Sequence, residues 1–302
     1  MKYIIKLMSL LLLVSSFMSC EKNDDVDDFS EFNGKEPYPL IEKGDTEASQ
    51  LAYSLYEDYD LHTYYTLEGD EALQTEYGSM RLTTFSPIKA EEERAAVVLK
   101  LTSEMYDLFK DYRELQVYRR LILIGNDFLS TTTRNYDKYG FNRDFNTYNI
   151  EGTQILSNIN NTFDFNLALT KEMLLYTYFN GYFRYHFGVP EEFTSVTAGD
   201  YRWELLAKGE PALFTSAQYD EERATDLGYV HPYGTLAFVF NPYMDWESYV
   251  VWIISRPKSE REAWLNSKPR IKTKYDIVIK TMLEDFGMDL ESFSTQWQSI
   301  GI

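Results

Sequence analysis

Apolar residues recur along this chain at two spacings, one helical and one strand-like. Ala48, Leu51, Ala52, Leu55 and Tyr59 share one face of a helix over 46–59, with Asp45 as its N-cap. Val98, Leu101, Met105, Leu108 and Tyr112 repeat at three-four spacing and predict a second amphipathic helix over 91–112. Between them, 62–67 mixes apolar, aromatic and Thr residues as a strand does; 117–124, closed by Gly125, is a further β-rich run, and 152–159 a weaker one. Thr170 is placed to cap a helix reaching about His186, on which Met173, Leu174, Leu175, Tyr176, Tyr178, Phe179, Tyr182 and Phe183 cover nearly the whole circumference. A helix apolar on every side is a buried one. Asn180 and Gly181 fall in its middle, where Gly costs ~1 kcal/mol relative to Ala. Downstream, 216–226 reads as a short exposed helix, 246–254 as a buried element, and 271–286, closed by Gly287, as a final amphipathic helix. The stretch 126–149 is polar, aromatic and loop-like, and no internal repeat is present. Helices interleaved with short strands predict a single α+β domain over 45–302, a mixed sheet packed on helices.

The first residues follow another logic. Lys2 and Lys6 precede the apolar run Leu7 to Val14, too short to span a bilayer, and Ser15 to Ser19 bring small residues up to Cys20, the one cysteine of the 302 residues. This is the pattern of a bacterial lipoprotein signal peptide over 1–19, with Cys20 as the lipidated first residue of the mature chain. Two or three acyl chains on one residue exceed what stable anchoring requires. The segment 20–44 is acidic and poor in apolar residues (EKNDDVDDFSEFNGK follows Cys20) and reads as a flexible tether.

Charge narrows the partners. The formal net charge is -19, and cleavage after Ser19 removes Lys2 and Lys6 and no acid, giving -19 - 2 = -21. Such a field disfavours nucleic acid and bare anionic lipid, both of which ask for clustered Lys and Arg. With Cys20 acylated no cysteine is left, so the folded part can form no internal disulfide and no thiolate metal site. Its 25 Tyr, 19 Phe and 5 Trp supply ample material for a core instead.

A zinc peptidase helix needs two histidines four residues apart as ligands, a glutamate beside the first as general base, and a third ligand from elsewhere. His62, His186 and His231 are the three histidines, and none has another four residues on.

Four fragments nevertheless stand in an ordered series: TYFNGYFRYHFGVPEEFTSVTAGDY from Thr177, LGYVHPYG from Leu227, a D-W-E element at Asp245 to Glu247, and IKTKYDIVIKTMLEDFGMDL from Ile271. In order and spacing they resemble the Bacteroidetes family of substrate-import-associated zinc metallohydrolase lipoproteins, also described as zinc-binding metallopeptidases. That family carries H-E-F-x-H-x-x-H-Q, then P-x-x-F, an L-G-F-V-x-P-Y segment, an acidic E-D-F-x-E segment and a helix before G-x-D-L. Phe179 matches its Phe, Pro190 and Phe193 its P-x-x-F, and Leu227, Gly228, Val230, Pro232 and Tyr233 its later segment. The resemblance implies a gluzincin-type metallopeptidase fold and a lipid anchor in the outer membrane, facing the cell surface or otherwise the periplasm. It also implies association with a TonB-dependent β-barrel and a SusD-like lipoprotein. Its chemistry is absent at the matched positions: Thr177 stands at the first ligand, Tyr178 at the general base, Gly181 at the second ligand and Arg184 at the further histidine. Neither Tyr, Gly nor a cationic Arg supplies zinc's charge and geometry. Around Asp245 the flanking acids become Met244 and Ser248, with 238–243 resembling an insertion.

The expectation is therefore a non-catalytic relative with no cofactor. Its former metal position would be lined by Thr177, Tyr178, Gly181, Arg184 and Tyr185, near Asp245, Glu247 and Tyr233, with His186 on the cleft. An interior stripped of zinc keeps carboxylates that need a cation, and Arg184 was the candidate. A tyrosine-rich cleft suits a peptide or glycan. Two alternatives stay open: an active zinc metallopeptidase with a site drawn from His186, Glu172, His231 or Asp245, and a purely structural subunit docking an outer-membrane β-barrel.

Overall fold

In the computed structural model, residues 40–67, 88–115, 119–125, 153–156, 159–160, 167–179, 187–208, 221–230 and 242–301 are described. Helix α1 is Glu47–Tyr59, and it begins one residue later than expected. Thr46, not Asp45, is the cap: its hydroxyl accepts from the Ser49 amide at 3.3 Å while Ser49 Oγ accepts from the Thr46 amide at 3.2 Å, a reciprocal box that Asp45 is not positioned to form. Asp60 closes the helix in the left-handed region at φ 54°. Ala48, Ala52 and Leu55 go inward, and the two small alanines let α1 lie close on α2, Glu92–Leu108, which buries Val98, Leu101, Met105 and Tyr106. The expected helix to Tyr112 stops at Leu108; a tighter 3-10 turn, Lys110–Leu115, continues it, kinked at Tyr112.

Strands β1 (His62–Tyr64), β2 (Arg120–Leu123) and β3 (Thr153–Leu156) form a sheet in that order, all parallel, with Thr63 opposite Leu121 and Leu121 opposite Gln154. Helix α2 lies on the crossover from β1 to β2, as parallel strands require. Leu121, Ile122 and Leu123 are all buried, which is why β2 reads as an unbroken apolar run rather than an alternation. Beyond these parallel strands, Lys89 and Ile124 form an isolated antiparallel bridge. Gly125 follows it because a Cβ there would collide with the Lys89 carbonyl.

Helix α3 is Leu167–Phe179, so Thr170 lies inside the helix and does not cap it. Leu167 already packs against the core and the preceding Leu and Ala residues favour helix, which extends it a turn upstream. Short helices α4 (Glu191–Ser195), α5 (Arg202–Ala207) and α6 (Glu221–Asp226) precede α7, Pro242–Ser255, on which every residue from Asp245 to Ile254 is buried. The chain ends in α8 (Lys258–Ser267), α9 (Pro269–Phe286) and α10 (Leu290–Ser299). Helix α9 is therefore not the last: Gly287 stops it at φ 67°, and Asp289 restarts the chain by accepting from the Glu291 and Ser292 amides at 3.1 Å. Helix α7 is the axis of this α+β fold, with α3, α9 and α10 packed around it. The expected loop 126–149 lies outside the described residues.

Candidate functional site

Asp245 enters in the first turn of α7 at the start of its buried run, so its carboxylate is held away from solvent. Lys274 meets it from α9. It stands three residues after Ile271 and four before Val278, on the face that α9 turns to the core, and both side chains are 0 % exposed. The ammonium donates to Asp245 Oδ2, and the Tyr201 hydroxyl donates to the same oxygen at 3.1 Å. Oδ1 has no hydrogen-bond partner among the described residues. Rings of Phe193, Tyr229 and Tyr249 surround Lys274 Nζ, their centroids 4.8, 4.8 and 5.6 Å away.

Two hydroxyls extend this cluster into the neighbouring segments. Tyr229 donates to the Asp200 carbonyl and Tyr249 to the Gly228 carbonyl, each at 2.8 Å. Gly228 is at φ +88°, and a Cβ on it would come within 2.8 Å of Arg270 Cβ; this is a close approach that only glycine permits. Burial pushes the Asp245 carboxyl above the usual carboxylate range, with Lys274 and Tyr201 pulling it partly back. Burial likewise pulls the Lys274 ammonium down, against the attraction of Asp245. The phenols of Tyr201, Tyr229 and Tyr249 are pushed up by burial and then by the Asp245 charge, so they remain protonated donors.

The acid of the D-W-E element is thus neutralised from α9, and Lys274 was not anticipated. Nor do Asp245 and Glu247 converge. Residues two apart on a helix point to different sides, and Glu247 is itself buried, at 3 % exposure. Tyr178, expected beside Asp245, goes instead into the aromatic core: it is 1 % exposed, stacks on Phe109 at 5.1 Å, meets Tyr106 edge-on, and donates to the Phe109 and Tyr112 carbonyls at 3.4 and 3.3 Å. Glu172 accepts from Ser255 Oγ at 3.0 Å and Arg256 Nη2 at 3.2 Å, at the far end of α7. Ten residues of helix, about 15 Å, separate that end from Asp245, so these two acids cannot share a metal. Thr177 lies on α3. Cys20, Gly181, Arg184, Tyr185, His186, His231 and Tyr233 lie outside the described residues.

These donors do not fit zinc. The metal takes lone pairs from three or four His, Cys, Asp or Glu side chains; Lys274, as an ammonium, offers none, and it engages the carboxylate oxygen such an ion would use. Among the described residues no three such side chains are grouped to hold a metal. What sequence reasoning missed had a visible signal: a lysine on the apolar stripe of a helix, where its amine has no water to reach. All four matched fragments come together here: Phe193 and Tyr201 of the first, Tyr229 of the second, Asp245 of the third and Lys274 of the fourth.

No family model and no curated protein matches the chain. Among solved structures, it is similar to a crystal structure from Bacteroides caccae ATCC 43185 described as a "putative zinc-binding metallo-peptidase", with TM-score 0.55 and 14 % identity over 85 % of this chain and 93 % of that one. At that identity the likeness speaks to architecture, and the chain has a metallopeptidase-like α+β fold.

Proposed function

We propose that this protein is a catalytically inactive relative of the zinc metallopeptidase-like lipoproteins, anchored in the outer membrane through Cys20 and serving as an accessory or binding subunit of a TonB-dependent import or assembly system. One observation carries the first half of this reading: the carboxylate at the start of α7 is neutralised by Lys274, with both side chains 0 % exposed. A peptidase of this kind spends its interior acids on the metal and its second shell, and here a side chain supplies the positive charge. The lipoprotein pattern up to Cys20 and the resemblance of the four fragments support the second half, with a peptide or glycan as the ligand and a SusD-like lipoprotein and a β-barrel as partners.

The test is metal content and response. Chelator-washed full-length protein is expected to take up less than one equivalent of zinc at micromolar concentration, to keep its melting temperature on adding chelator, and to cleave no peptide library. Stoichiometric zinc that is lost in His186→Ala, together with chelator-sensitive hydrolysis, would revive the active-peptidase alternative.

A further inference from the structure

We propose that Lys274 and Asp245 condense to an intramolecular amide, Nζ to Cγ, that covalently staples α9 to α7. The nucleophile and the acyl carbon are already held together, since Lys274 Nζ lies against Asp245 Oδ2 with both side chains 0 % exposed. Three rings close around the nitrogen at 4.8, 4.8 and 5.6 Å and keep water out. The oxygen that must leave is the one carrying a proton donor: Tyr201 donates to Oδ2 at 3.1 Å, while Oδ1, which becomes the amide oxygen, has no partner among the described residues.

The step balances without a co-reactant. A proton passes from the Lys274 ammonium to Oδ2, giving neutral amine and neutral acid. Burial favours both of these forms, raising the carboxyl and lowering the ammonium. The nitrogen lone pair attacks Cγ and the C–N bond forms. The Cγ–Oδ2 bond then breaks as Oδ2 takes a proton from the Tyr201 hydroxyl, which recovers one from the nitrogen, and one water departs. One ammonium and one carboxylate become one amide and one water, with nothing oxidised or reduced. Condensation is uphill in dilute water, but here the product removes two buried charges whose desolvation opposes the fold, while the fixed orientation, equivalent to effective molarities of about 10⁵ M or more, speeds the step. A chain with a single cysteine has no internal disulfide to do the same work. The staple requires neither the anchor nor the import role proposed above.

Peptide mapping of the purified, denatured full-length protein decides it. Trypsin does not cut after an acylated lysine, so the staple gives a branched product joining 224–258 to 273–280, lighter than their sum by one water. Its fragmentation should place the branch at Lys274 and Asp245. Complete cleavage after Lys274, with 275–280 and 224–258 recovered as separate linear peptides, would overturn the proposal. The wild-type map suffices, and a folded Lys274→Arg protein, whose guanidinium is no nucleophile, should give only linear peptides.

Discussion

At the scale of single residues, position 274 shows how charge hides inside an amphipathic pattern. Lysine is almost never fully buried unless paired, so a lysine on the stripe of Ile271 and Val278 signals a buried charge without saying which acid it meets. Asp245 was legible from the order of the fragments; its partner was not, because the pairing is a tertiary contact across 29 residues. Lys274→Met should be less stable than Lys274→Met/Asp245→Asn by about 3–5 kcal/mol at neutral pH, because only the single variant strands a buried carboxylate. The pH dependence has a definite sign. In Lys274→Met the folded carboxyl, already raised by burial and now without its cation, holds its proton at pH values where the unfolded one, near 3.9, has lost it. The native state then binds more protons than the unfolded state, and stability falls as pH rises above about 4. Urea unfolding of this variant at pH 4 and pH 7 checks it; equal stability at both, beside a flat double mutant, would contradict it. Glycines give a second contrast. Gly228→Ala meets both the left-handed φ of +88° and the Arg270 side chain, whereas Gly287→Ala meets only a φ of +67° in open space. The expected losses are about 2–4 and about 1 kcal/mol respectively, read from paired denaturant melts.

Among elements, what the sequence concealed follows from what each helix buries. Helices α1, α2 and α9 bury apolar stripes and were legible to within a few residues, as was the buried body of α7. Helix α8 was not, because the residue it buries is Arg261. That guanidinium binds Glu291 of α10 through both nitrogens, at 2.5 and 2.8 Å, and Tyr275 of α9 donates to the same carboxylate, so one acid joins three helices. Helix α10 does carry a stripe, Leu290, Phe293 and Trp297, but it is short and separated from α9 by only a tight turn. The Arg261 hydrogen bonds hold the Glu291 carboxyl below its ordinary range. A depressed acid contributes stability above its unfolded value, near 4.3, and loses it as pH falls through the folded one. Glu291→Gln should therefore cost about 1–2 kcal/mol at pH 7, discounted for the part-exposed carboxylate, and progressively less below pH 4. Melts of both proteins across pH 3–7 test this, and a constant difference would exclude it.

For the whole molecule, the fold class came through in sequence because it rests on periodicity, while the site did not because it rests on which helices meet. The four fragments were found by order, yet only the folded chain shows that all four meet at Lys274, through Phe193, Tyr229 and Asp245, while Tyr178 turns into the aromatic cluster around Phe109. Under the proposed anchor, membrane attachment would depend on the whole chain's charge as well as on Cys20. A formal charge of -19, or -21 without the leader, repels an anionic bilayer, and no described helix is long and apolar enough to cross a membrane. Attachment through the proposed anchor must then come from acyl chains, each buried CH₂ contributing about 0.8 kcal/mol, with one chain marginal and two or more stable. Two consequences distinguish this from a surface patch. The protein made without residues 1–19 and with Cys20→Ala should remain in the supernatant with phosphatidylglycerol vesicles even at low salt, where a basic patch would bind most strongly. The acylated protein should float with neutral and anionic vesicles alike and resist release by high salt. Salt-sensitive flotation of the leaderless Cys20→Ala protein would show that folded surface, not lipid, carries the attachment.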